Sequence, residues 1–177
     1  MLRLMLLRHA KSSWTDPGLD DHDRPLNPRG RRAAPRVGRF MRSRKLVPDL
    51  VLCSPARRAR DTWKLASAAL GAAPRLLMEE ALYDFGNGGR ILDTVRARAG
   101  AATSVLAVGH NPSIERLARR LAGKGDAKLR KRLAGKYPTG ALAVISFDAA
   151  DWDAVEDGKG TLAVFVRPRD LAGEPGS

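Results

Sequence analysis

The chain has 177 residues, 44% of them hydrophobic and 29% charged, which is enough for one folded domain with its own core and excludes disorder along the whole length. A net charge of +13 and a single cysteine exclude a disulfide scaffold and a thiolate metal cluster, and fit a reducing cytoplasm. They point to anionic partners: phosphorylated substrates, nucleic acid, acidic proteins or a membrane surface.

In chain order, the first strand is expected at residues 2–7 (LRLMLL), where an apolar run stops abruptly at Arg8, His9 and Lys11. This opening run is too short for a signal peptide and is followed by no cleavage-type small residues, so no membrane association is expected. The charged loop DDHDR follows, with His22 either solvent-exposed or bordering a pocket, and Arg24 either paired with Asp21 or Asp23 or touching substrate. Asn27-Pro28, Ser54-Pro55 and Asn111-Pro112 each place a capping side chain before a proline, predicting helices over 28–45, 55–70 and 112–122. Gly71 and Gly123 are placed to end the second and third of these.

A second strand is expected at 49–53 (DLVLC), which puts Cys53 in the core as a small buried thiol. A weaker strand lies near 75–78, and residues 86–99 open with a glycine turn and continue as a fourth helix. Further strands are expected at 103–108, 141–147 and 161–166, rich in β-branched residues. The stretch 124–136 (KGDAKLRKRLAGK) reads as a solvated helix or mobile loop, or as a docking face for an acidic partner. Trp14 and Trp63 are expected in the core or on a pocket rim. Strands alternating with helical segments predict an α/β fold, a three-layer α/β/α sandwich with a mostly parallel central sheet. Residues 1–170 are expected to form one domain and 171–177 a short frayed tail.

The chemistry gathers at strand ends. His9 and His110 each follow an apolar strand directly, at the edge where open α/β sheets bind ligands. Arg57, Arg58 and Arg60 fall in the first turns of the helix after 49–53, where cations oppose the helix dipole and where a phosphate would be welcome.

Three segments, LLRHAKS at 6–12, SPARRARDT at 54–62 and VGHNPSIERLA at 108–118, occur in this order and each follows a strand. Together they resemble the histidine phosphatase superfamily, whose fold is phosphoglycerate mutase-like. DHDRPLNPRGRRAAPRVGRF at 21–40 is similar to the corresponding segment of its short, SixA-like phosphohistidine phosphatase branch. The resemblance implies that His9 is a nucleophile that becomes transiently phosphorylated. It also implies that Arg8, Arg58 and His110 hold the three equatorial oxygens of the transferring group, with no metal or cofactor. On this reading His9 must be neutral to attack, while His110 is useful protonated.

Many superfamily members that cleave phosphate esters carry a glutamate after a Leu-Tyr pair, whereas this chain has ALYDFG. Asp84 is therefore the nearest candidate general acid, with Glu79 and Glu80 less well placed; Asp84 could equally cap the turn at Gly86. Imidazole leaving from phosphohistidine needs a proton less than an alkoxide does, so a weak acid favours a phosphoramidate substrate. The expected function is a phosphatase acting on phosphohistidine in a signalling protein, such as a histidine-phosphotransfer protein. A phosphatase or mutase for small phosphate esters and a basic nucleic-acid-binding module are the alternatives. The scattered aromatic residues offer no stacking platform and argue against the latter.

Overall fold

The computed structural model describes residues 1–172. Seven strands and five α-helices follow one another as β1 (Leu2–Arg8), α1 (Pro28–Ser43), β2 (Leu50–Cys53), α2 (Arg57–Leu70), β3 (Arg75–Met78), α3 (Gly89–Arg98), β4 (Ser104–Gly109), α4 (Ser113–Leu121), β5 (Ala122–Gly125), α5 (Ala127–Ala134), β6 (Leu142–Phe147) and β7 (Gly160–Val166). The strands form one sheet in the order β3-β2-β4-β1-β6-β7-β5. Every pairing is parallel except those that β6 makes with β1 and β7.

The central strands β1, β2, β4 and β6 are buried on both faces, so β1 reads as a mostly apolar run rather than an alternation. Met5 and Leu7 point to the layer formed by α1 and α2, with Val37, Met41, Trp63 and Ala66. Leu4 and Leu6 point the other way, to Ile91, Val95, Ile114 and Leu117 of α3 and α4. The expected α/β/α sandwich with a mostly parallel sheet is the fold observed.

The helix starts depart from one shared chemistry. Asn27 caps α1 as expected, its Oδ1 accepting the Gly30 N–H at 2.9 Å. Ser54 accepts the Ala56 N–H at 3.3 Å, but its hydroxyl also meets a histidine ring. Asn111 caps nothing: its Nδ2 donates to Glu115 and to the Tyr137 carbonyl, and Pro112 precedes α4.

Gly71 ends α2 with φ +73° as expected, the left-handed conformation that glycine adopts without strain. Gly123 ends no helix. It lies in β5, where a side chain would overlap the Gly158 carbonyl. Within 124–136, α5 is the solvated helix that the charges predict, with Leu133 its only buried side chain. The edge strand β5 (AGKG) has no apolar pattern of its own and is defined by pairing with β7. Leu171 is buried against the α1–α2 layer, while the rest of the expected tail, from 173 on, lies outside the described residues. Among the described residues no helix is long and apolar enough to cross a membrane.

Candidate active site

The central strands β2, β4 and β1 are neighbours and end at the same rim. Two backbone bonds extend the ladder beyond the strands: His9 N–H donates to Gly109 O at 3.0 Å, and Ser54 N–H donates to Val108 O at 2.9 Å. This register brings the rings of His9 and His110 to 5.1 Å between centroids. Both side chains are buried, His9 at 8% and His110 at 1% exposure.

Each ring has one nitrogen committed. The carbonyl of Ala10 lies 2.7 Å from His9 Nδ1; a carbonyl only accepts, so Nδ1 carries the hydrogen and the Nε2 lone pair is left free. Ser54 Oγ lies 2.7 Å from His110 Nε2. Ser54 is fully buried and, among the described residues, its hydroxyl hydrogen has no acceptor other than Nε2, so the hydroxyl donates there and the His110 hydrogen sits on Nδ1. His110 Nδ1 and Arg8 Nε are both buried and have no hydrogen-bond partner among the described residues. Burial pushes the His9 pKa down to about 3, against the pull of the Ala10 carbonyl and with help from the charges of Arg58, Arg8 and Arg24. Burial, the neighbouring His9 ring and Arg58 lower His110 as well. The resting pair is neutral, so His110 offers an Nδ1–H donor rather than the imidazolium expected from the sequence.

Arg58 emerges from the first turn of α2 and is 3% exposed. Its Nη2 donates to Asp21 Oδ2 at 2.8 Å and its Nη1 to the Asp21 carbonyl. Arg24, also buried, donates to Asp21 Oδ1 at 2.8 Å, to Ser13 O and to Ser12 Oγ, while the Trp14 ring stacks 3.3 Å from its guanidinium carbon. Tyr83 O–H completes the set, donating to Asp21 Oδ2 at 2.7 Å. Partial burial raises the Asp21 carboxyl, but the Tyr83 and Arg58 hydrogen bonds and the two guanidinium charges outweigh it and hold it below the usual range. Arg8 donates from Nη1 to the Tyr137 carbonyl at 2.8 Å, and its charge reaches both histidine rings.

The four residues expected to act together therefore do converge, from three strand ends. The chain is similar to known proteins along most of its length. A model of the histidine phosphatase superfamily (branch 1) matches residues 4–90. An uncharacterised protein of Mycobacterium tuberculosis is 39% identical over 165 residues, 92% of this chain and all of the relative. The crystal structure of a protein assigned as the phosphohistidine phosphatase SixA of Agrobacterium tumefaciens is 30% identical, with a TM-score of 0.79 over 94% of this chain and 98% of that one. The chain belongs to the histidine phosphatase superfamily. A second protein assigned as SixA, from Nakamurella multipartita, is also 30% identical, with a TM-score of 0.80 over 94% and 96% of the two chains.

Asp84 and Glu79, two of the three carboxylates of 79–84, are engaged by partners other than the histidine pair. Asp84 is buried, accepts from Ser113 Oγ at 2.6 Å and Gly86 N–H at 3.3 Å, and faces Arg90 at 3.8 Å. The bond from Gly86 fits the turn-capping alternative. Glu79 pairs with Arg98 at 2.7 Å, and Glu80 opens a short 3-10 turn. Among the described residues, no group of three or more His, Cys, Asp and Glu is arranged to hold a metal ion. Cys53 is fully buried, and burial pushes its thiol up to about 12, consistent with a core residue.

The sequence reading missed the wall of the site. Tyr83 and Phe85 each set a ring 5.2 Å from His110, and His22 stacks edge-on against Tyr83. The aromatic residues are thus partly gathered rather than scattered. The motif ALYDFG contained both rings but drew attention only to its carboxylate. Trp63 is core and Trp14 is rim, exposed at 72%.

Proposed function

We propose that this chain is a phosphatase that passes a phosphoryl group through His9 and takes it from phosphohistidine on a protein. Superfamily membership and the likeness to SixA-type proteins support phosphatase activity. One observation carries the finer reading: a neutral, buried imidazole with a free Nε2 stands among three arginines and a second histidine whose Nδ1 has no acceptor. An anion is the ligand that satisfies orphaned donors of this kind.

In the proposed reaction, His9 Nε2 attacks phosphorus in line with the departing nitrogen, so that one N–P bond forms as the other breaks. The leaving ring, already protonated on its other nitrogen, departs as neutral imidazole. Arg8, Arg58 and His110 Nδ1–H stabilise the charge spread over the equatorial oxygens. Water then attacks phospho-His9, its oxygen joining phosphorus and its hydrogens going to the released phosphate, and the Nε2 lone pair is restored. An alkoxide leaving group would need a proton donor, and Asp84 is already engaged by Ser113 and Gly86, which favours the phosphoramidate over the ester. Exposed Trp14 and Phe85 leave the mouth open to a group carried on a protein surface.

The test compares catalytic efficiency on a phosphorylated histidine-phosphotransfer domain, a phosphoserine peptide and p-nitrophenyl phosphate. The phosphohistidine protein is expected to lead, and His9→Ala to bring all three rates to background. Wild-type rates in that variant would refute the mechanism, and a leading small ester would refute the substrate class.

A further inference from the structure

Beside the phosphoryl site, a cavity of about 210 Å³ is lined by five cations, Lys11, Arg29, Lys136, Arg167 and Arg169. It shares the rim of the histidine pair. Lys11 lies two residues beyond His9, and Gly140 N–H donates to the carbonyls of both Arg8 and His9 at 3.0 Å, while Pro168 packs against that glycine. Arg29 stands in the first turn of α1, whose dipole adds to the positive potential.

Arg167 has a partner, Asp170 at 3.0 Å, which also takes Arg132 of α5. The other four lining cations have no ion-pair partner among the described residues. Four cations without an ion-pair partner around one concavity make its potential positive, which suits an anionic ligand. Ala33, Pro138 and Pro168 give the cavity an apolar lining suited to methylene stems, and no aromatic ring is there for a base to stack on. Asp170 ties Arg132 of α5 to Arg167 of the cavity, and α5 carries three more exposed cations, Lys128, Arg130 and Lys131, which suits a ligand longer than a small molecule.

We propose that this cavity docks an acidic segment of the phosphoprotein, whose Asp and Glu side chains enter it while the phosphorylated residue lies at His9. The proposal rests on the phosphatase reading but is tested apart from it. Fluorescein-labelled octaglutamate, followed by anisotropy, is expected to bind wild type and His9→Ala equally. Arg29→Glu/Lys136→Glu/Arg169→Glu should weaken that binding at least tenfold, whereas the charge-matched Arg39→Glu/Arg42→Glu/Arg44→Glu, toward the far end of α1, should change it less than twofold. The cavity variant should also raise KM at least tenfold for a phosphorylated histidine-phosphotransfer domain and leave p-nitrophenyl phosphate hydrolysis unchanged. If thermal melts show the triple variant unfolded, Lys136→Glu alone must weaken octaglutamate at least threefold. Equal losses in both triple variants would overturn the proposal in favour of net charge alone. Tighter binding of a 12-nucleotide single strand than of octaglutamate, lost in the cavity variant, would overturn it in favour of nucleic acid. Loss of hydrolysis in His9→Ala with no effect of the cavity variant on peptide or KM would sink the docking site and leave the phosphatase standing.

Discussion

The guanidinium of Arg58 is oriented before any substrate arrives, because Asp21 holds it through both a carboxylate oxygen and a carbonyl. Such preorganisation is what makes a positioned donor effective. Arg58→Ala should therefore lower kcat/KM on p-nitrophenyl phosphate by about 10²–10³-fold, the loss usual for one such donor. Arg58→Lys should recover little, since an ammonium lacks the planar fork that grips two oxygens at once.

The histidine pair makes a separate prediction about pH. An unfolded histidine titrates near 6.5, whereas folded His9 resists protonation down to about 3. Above 6.5 both states are neutral and nothing is lost. Below it the unfolded chain takes up protons that the folded one refuses, so stability falls with pH throughout that window. Between pH 6.5 and 5 this amounts to up to about 2 kcal/mol for one histidine. Urea midpoints should fall on acidification, and less steeply in His9→Gln; a midpoint that rises would contradict the burial argument. The positions of Arg8, His9 and His110 were legible in the sequence because each sits where a strand gives way to a helix or loop, a place set by local pattern, whereas Arg58 stood apart from Arg57 and Arg60 only through the family resemblance. Asp21 and Tyr83 lie on irregular segments placed by packing, and no local pattern marks them as partners.

At the scale of elements, α1 and α2 approach closely because Gly38 has no side chain to separate them: an added methyl would overlap the Ala66 carbonyl. Gly38→Ala should cost about 1–3 kcal/mol in urea unfolding, as overpacking of a close contact does. An unchanged midpoint would mean that the helices can part freely. β1, β4 and β6 were readable as strands, at 2–7, 103–108 and 141–147, because they are apolar enough for strands covered on both sides. β5 was not, since its conformation comes from its neighbour. Ser54 and Asn111 misled for a related reason. Their composition says cap, but the site claims Ser54 for His110, and Asn111 bonds Glu115 and Tyr137 instead.

Across the whole molecule, the surplus of positive charge was plain from composition, while the gathering of five cations around one cavity depends on segments that meet only in three dimensions. The sheet order carries a further implication. Leu4 of β1 is flanked by Val105 on one side and Ile145 on the other, so the strand that leads to His9 finds both neighbours in the later part of the chain. During synthesis β1 emerges early and waits with two unsatisfied edges, a hazard for intermolecular pairing and a source of slow, non-local folding. A fragment of residues 1–103, which lacks β4 and β6, should accordingly give no cooperative unfolding transition and should aggregate.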